Sequence, residues 1–171
     1  TTSTNDSAIA QSLKRLAMIY RRINSDSAHF WSQRLIEFGT KKKMPYFVEM
    51  GHFTRANVYR FDNNFEKSVQ SYKWALLESQ KAKDIEGVSQ AYGCLMKMQI
   101  LRNTSPASVR DYFDMVVAYK DSMMKDQRII PDAYSDFSQF LMSRGDYRIA
   151  MDYLQQGIRT YEAAKDDKRI L

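Results

Sequence analysis

Apolar residues recur along this chain at spacings of three and four, and short polar breaks separate the runs. The stretch from 133 to 161 shows the pattern most plainly. Tyr134, Phe137, Ser138 and Leu141 form one series; Ile149, Ala150, Tyr153, Leu154, Gly157, Ile158 and Tyr161 form the next. Each places its apolar members on one side of a helix. Gly145, Asp146 and Tyr147 lie between them, and Ser138, Ala150 and Gly157 are small where two close-packed helices need small residues. The spacing predicts an αα-hairpin.

The same grammar runs through the rest of the chain. Asp6 or Ser7 can cap a first helix bearing Ile9, Leu13, Leu16, Ala17 and Tyr20. The break at Asn24-Ser25-Asp26-Ser27 supplies a fresh cap for Ala28, Trp31, Leu35 and Phe38, with Gly39 expected as the helix stop. Pro45 suits the first turn of a third helix with Phe47, Met50, Ala56 and Tyr59. In the turn Asp62-Asn63-Asn64-Phe65, Asn63 can take the left-handed backbone that Gly145 supplies later. Ser68, Val69, Tyr72, Ala75 and Leu76 then repeat the spacing of Ala150, Met151, Leu154, Gly157 and Ile158. A fifth helix is expected from Asp84 or Ile85, carrying Val88, Tyr92, Gly93, Met96, Ile100 and Leu101. Ser105-Pro106 caps a sixth, which is expected to bury Val109, Phe113, Val116 and Val117 together with Tyr119 and Met123. Ile129, Ile130 and Pro131 lead into the last hairpin. The prediction is an all-α chain of about eight helices in four hairpins, over residues 7–40, 45–83, 85–126 and 130–166 of one repeat domain.

Composition narrows this without redirecting it. Six Gly and three Pro in 171 residues suit helices, and 27% charged with 44% apolar residues suits a folded, water-facing protein. The charge is uneven: residues 1–60 hold ten Lys and Arg against four Asp and Glu, and residues 61–171 hold sixteen of each. A basic first third can meet an acidic partner, an anionic surface or nucleic acid. Without a helix-turn-helix signature, and with the remaining two-thirds neutral, direct nucleic-acid binding is not expected. No apolar run is long enough to span a membrane, so membrane attachment is expected only through parts of a longer protein. The opening at Thr1 and the ending at Ile170-Leu171 suggest such a longer protein.

The Gly145-Asp146-Tyr147-x-x-Ala150 turn and its flanking series resemble the tetratricopeptide repeat (TPR). The resemblance implies a right-handed αα-hairpin superhelix, a solenoid stabilised by stacking each hairpin on its neighbours. It also implies a concave groove, lined by the first helix of each hairpin, that holds an extended peptide or a partner's helix. Carried onto this chain, the groove positions are Lys14, Met18, Arg21 and Arg22; Phe53, Asn57, Arg60 and Phe61; Gln90, Cys94, Lys97 and Met98; and Ser135, Gln139, Met142 and Ser143. The expected ligand is a protein or peptide segment that is acidic or bears a carboxylate. Lys14, Arg21, Arg60 and Lys97 would meet its charge, Asn57 its main chain, and Phe53 and Phe61 its apolar parts. Terminal-carboxylate clamps of this family are matched at Lys14, but Met18, Thr54, Gly87 and Ala91 stand at the other clamp positions. Unit starts roughly 37–45 residues apart, and phrases such as Tyr72-Lys73-Trp74-Ala75-Leu76-Leu77-Glu78, are similar to repeat regions of bacterial sensor and transcriptional regulator proteins. That likeness implies the input or assembly part of a signalling protein, in bacterial periplasm or cytoplasm. The alternative is homo-oligomerisation, since an open end such as Ile170-Leu171 exposes an apolar face unless a polar helix caps it.

Signs of catalysis and metal binding are sparse. His29 and His52 fall on different predicted helices, with no Cys or acidic cluster at ligand spacing. Cys94 follows Gly93 in a predicted helix and has no His at hand to activate it. Gly-rich phosphate loops, nucleophile elbows and zinc-protease helices are missing from the sequence. No enzyme activity, cofactor or metal site is expected.

Overall fold

A computed structural model describes residues 4–119 and 128–166, with side chains followed as far as Ala163. Among the described residues there are eight α-helices and no strand: α1 (Thr4–Tyr20), α2 (Ser25–Lys41), α3 (Pro45–Phe61), α4 (Phe65–Ala82), α5 (Ile85–Leu101), α6 (Pro106–Val117), α7 (Ile129–Ser143) and α8 (Tyr147–Asp166). The expected burial of Met123 and the apolar end at Ile170-Leu171 lie outside the described residues. By internal contacts the chain divides into two compact units, residues 1–87 and 88–171.

Local chemistry sets the helix ends. The Asn24 side chain accepts from the Ser27 N–H at 2.8 Å and Asn64 from the Lys67 N–H at 3.3 Å, each satisfying a first-turn donor with no helical partner. Asp84 accepts from the Gly87 N–H at 3.1 Å, and Ser105 from Ser108 at 3.3 Å ahead of Pro106. In five of the turns between helices one residue flips to positive φ: Lys43, Asn63, Lys83, Asn103 and Gly145. Asn63 therefore does take the conformation of Gly145, whereas Lys43 and Lys83 adopt it without the usual Gly or Asn. Gly39 does not stop α2. The helix runs on to Lys41, and Gly39 is spent on close approach, since a Cβ there would meet Val48 Cγ2 at 2.9 Å. Pro131 belongs to the first turn of α7 rather than to a lead-in segment.

In the first unit, α1 packs on α2, α2 on α3 and α3 on α4. Ala10, Leu35, Met44 and Phe47 form one core cluster, with Leu13, Phe38 and Met50 against it. The α2–α3 seam is held tight by small residues. A Cβ on Gly51 would lie 2.6 Å from Ile36 Cγ1 and 3.1 Å from the Ser32 carbonyl oxygen. The buried Ser32, Ser68 and Ser79 hydroxyls donate to backbone carbonyls of Ala28, Ala56 and Ala75, so these three hydroxyls are satisfied.

The second unit is built around rings. Phe113, Tyr134, Phe137, Phe140 and Leu141 are buried with Met96, Val109, Val116, Ile130, Ala133 and Ala150, and Tyr153 packs against them. The Phe113 ring stacks on Phe137 at 4.7 Å and meets Tyr134 and Tyr153 edge-on at 5.0 and 5.2 Å, arrangements favoured by the ring quadrupole. Tyr119 stacks on Tyr92 at 6.4 Å. Gly157 lets α8 close on α7, since a Cβ there would sit 2.8 Å from Tyr134 Cβ. Ile149, Ile158 and Tyr161, expected on the buried side of α8, are exposed; burial falls on Ala150 and Gly157, with Tyr153 and Leu154 half-covered.

Candidate functional site

Helical spacing places Lys14, Met18 and Arg21 on one side of α1 and its following turn, and Tyr46, Met50, Asn57 and Phe61 on one side of α3. These two stripes meet where the Lys14 ammonium donates to the Tyr46 hydroxyl at 2.8 Å, 5.0 Å from its ring centroid. The Arg21 guanidinium is half-buried, and its Nε, enclosed by protein, has no hydrogen-bond acceptor among the described residues. Arg60 folds over Phe61 with 4.5 Å between guanidinium carbon and ring centroid, and Phe61 is 58% exposed. Among the described residues, none of Lys14, Arg21 and Arg60 has a carboxylate within ion-pair distance. Three cations and two accessible rings thus stand on the first unit with their charge unneutralised.

Other expected contacts are already engaged inside the protein. Phe53 is a correction: it is 4% exposed and packs edge-on against Tyr72, so its ring belongs to the α3–α4 core rather than to an open surface. Met98 is likewise fully buried. Asn57 is half-buried; its amide N–H donates to the Phe53 carbonyl at 2.9 Å and its oxygen accepts from the Tyr72 hydroxyl at 3.0 Å. Lys97, in the second unit, pairs with Asp136 at 3.0 Å. Burial alone would lower the Lys97 pKa, but the Asp136 carboxylate outweighs it and raises the ammonium above its ordinary value. Gln90 and Gln139 are exposed, Cys94 and Met142 half-buried.

Three residues that matter were not singled out in the sequence. Tyr46 follows Pro45 at the start of α3, and 46, 50, 53 and 57 share a helical spacing. Asp136 was hidden because its role depends on Lys97, thirty-nine residues away. Glu49 is the third. It is 2% exposed on α3, and a Cβ on Gly87 would collide with its Oε1. Burial raises its pKa to about 7; the Ser79 hydroxyl pulls it back, and the carboxylates of Asp84, Glu86 and Glu78 add to the rise. Its signal was an acid in the apolar series Glu49, Phe53, Ala56 of the α3 face turned to α4.

The fold has a solved counterpart. The chain is similar to the crystal structure of BtubC (BKLC) from P. vanneervenii, with a TM-score of 0.76 and 14% identity over 97% of this chain and 68% of that one. At that identity the likeness shows an all-helical, repeat-like fold and nothing of function. No family model matches the chain, and no curated protein matches it either.

Chemically, the charged clusters hold and orient. The Ser25 hydroxyl donates to Asp62 at 2.6 Å, with His29 Nε2 3.7 Å from the other carboxylate oxygen. The serine proton is directed at the carboxylate, not at the imidazole, so this is not the arrangement in which a base activates a hydroxyl. Burial lowers the His29 pKa, against the pull of Asp62. Burial and then Arg55 lower that of His52 to about 4, so its imidazole is neutral at pH 7, stacked on Trp74. Among the described residues no three His, Cys, Asp or Glu side chains converge as a metal site would need, and no helix is long and apolar enough to cross a membrane.

Proposed function

We propose that this chain is a protein-interaction scaffold of the tetratricopeptide type, whose first unit takes an acidic or carboxylate-bearing segment of a partner protein. The observation that supports this reading most is the set Lys14, Arg21 and Arg60, unpaired by any described carboxylate and set beside the Tyr46 and Phe61 rings. A carboxylate arriving there gains charge-assisted hydrogen bonds from groups that no described carboxylate already neutralises. Exposed rings add apolar contact at the rim of the same face.

Binding, rather than bond-breaking chemistry, is the role these side chains suit. The setting we propose is the sensory or assembly region of a bacterial signalling or transcriptional regulatory protein. A dodecapeptide rich in Glu and Asp, followed by fluorescence anisotropy, tests the site against the same peptide with Gln and Asn. The acidic peptide is expected to bind at least tenfold more tightly in low salt and to lose that margin as ionic strength rises past the screening regime. Equal affinity for the two peptides would sink the reading.

A further inference from the structure

Glu49 is a carboxylic acid shut inside the first unit without a counter-charge. It is 2% exposed, and its Oε2 is enclosed with no hydrogen-bond partner. Among the described residues no cation lies within ion-pair distance of it. What closes over it is the start of α5. Gly87 is buried against the carboxyl so closely that a Cβ there would collide with Glu49 Oε1 and stand 2.8 Å from the Ser79 hydroxyl oxygen. A side chain at 87 would therefore hold α5 off α3 and α4 at this point.

The groups that face the carboxyl disfavour its charged form. On α4 the Ser79 hydroxyl donates to the Ala75 carbonyl at 2.9 Å, so a proton for a Glu49 carboxylate has to be drawn from that bond. Glu78, also on α4, is paired with Lys81 at 2.7 Å. In the turn that follows, the half-buried Asp84 accepts from the Gly87 N–H at 3.1 Å, and Glu86 lies half-buried on α5 itself. Lys83, in the same turn, is exposed. On α3, His52 has its pKa lowered to about 4 and carries no charge near pH 7. Asp84, Glu86 and Glu78 thus all oppose one more negative charge beside Gly87. A buried charge with no partner either takes up a proton or finds water. Water reaches this carboxyl once the first turn of α5 lifts away.

We propose that Glu49 is a proton-operated latch, which in its protonated form holds the first turn of α5 against α3 and α4 and in its ionised form releases it. The sign follows from linkage. Burial lifts the Glu49 pKa to about 7 from its ordinary 4.5, so the preference for the docked turn is complete below pH 4.5 and is gone once pH passes about 7. The latch therefore works close to neutral pH. It uses none of Lys14, Arg21 and Arg60, and stands whether or not they receive an acidic segment.

Amide hydrogen exchange followed by NMR, corrected for intrinsic rates, tests it on the whole chain. Protection of the amides of residues 87–90 is expected to fall about fiftyfold from pH 5 to pH 8, while that of residues 10–20 in α1 changes less than about threefold. Glu49→Gln, which keeps the shape of the protonated acid, is expected to hold residues 87–90 at the pH 5 level throughout. Gly87→Ala is expected to leave them poorly protected already at pH 5, with unchanged helical circular dichroism and no further fall by pH 8. Protection at 87–90 that is flat with pH in the parent would overturn the proposal. So would an equal fall in α1, which would make the effect one of global stability, or a parent-like pH profile in either variant.

Discussion

The two units solve the same packing problem with different residues, and what each leaves on its surface differs accordingly. In the first, Gly39, Gly51 and buried serines let helices approach closely. In the second, a cluster of rings from Phe113 to Tyr153 fills the space among α6, α7 and α8. The first leaves Lys14, Arg21 and Arg60 without a described carboxylate, while the second uses Lys97 on Asp136 and has the Arg110 guanidinium donating to the Tyr153 hydroxyl at 2.8 Å. The second also leaves an apolar stripe open along α8. Charge that is already neutralised internally is poor material for recognition; charge that is not is available to a partner.

The sharpest way to break this contrast is to cut each core. Phe137→Ala removes the ring stacked on Phe113 and Phe140, and should cost about 3–5 kcal/mol, read as a lower denaturant midpoint. Next in size is the pH response of Glu49. Its folded pKa of about 7 lies above the ordinary value of 4.5, so the folded state holds the proton more tightly. Its contribution is fully present below pH 4.5 and is lost as pH rises to about 7, a fall of roughly 3 kcal/mol. His52, with its lowered pKa, acts in the opposite sense as pH falls from 6.5 toward 4. The difference between the parent and Glu49→Gln isolates the Glu49 part. That difference should be largest above pH 7, in favour of Gln; a flat difference from pH 4 to 8 would contradict the assignment. Gly51→Ala should cost about 1–3 kcal/mol, because its Cβ meets Ile36 and a backbone carbonyl that has little room to yield. The smallest effect expected is that of Gly145→Ala, about 1 kcal/mol, from left-handed backbone alone, since nothing lies within 4 Å of the added carbon.

Helices were legible because their signal is local. Asn24, Asn64, Ser105 and Pro45 act within one turn, and the three-and-four spacing needs no knowledge of neighbours. The Asn63 turn could be read from Gly145 for the same reason. What failed at some positions was the inference about which side of a helix meets which neighbour. Phe53 looked like a groove residue and is core, since the face of α3 that meets α4 includes 49, 53 and 56. Gly39 looked like a terminus because a glycine in a helix has two readings, a stop or a close contact, and only the position of Val48 separates them. Ile158 and Tyr161 looked like core because apolar spacing reports a buried side without reporting what buries it. The cations were legible as a charge excess, but that Lys97 is neutralised and Lys14, Arg21 and Arg60 are not depends on where Asp136 lies.

The most direct measurement compares two charge-reversed proteins against the acidic dodecapeptide at low salt. One carries Lys14→Glu, Arg21→Glu and Arg60→Glu; the other carries Lys97→Glu. Both should remain helical, and the first should lose at least tenfold in affinity, about 1.4 kcal/mol or more, while the second binds within about twofold of the parent. Undiminished binding by the first protein, or an equal loss in both, would contradict the claim that the unneutralised cations of the first unit form the recognition surface.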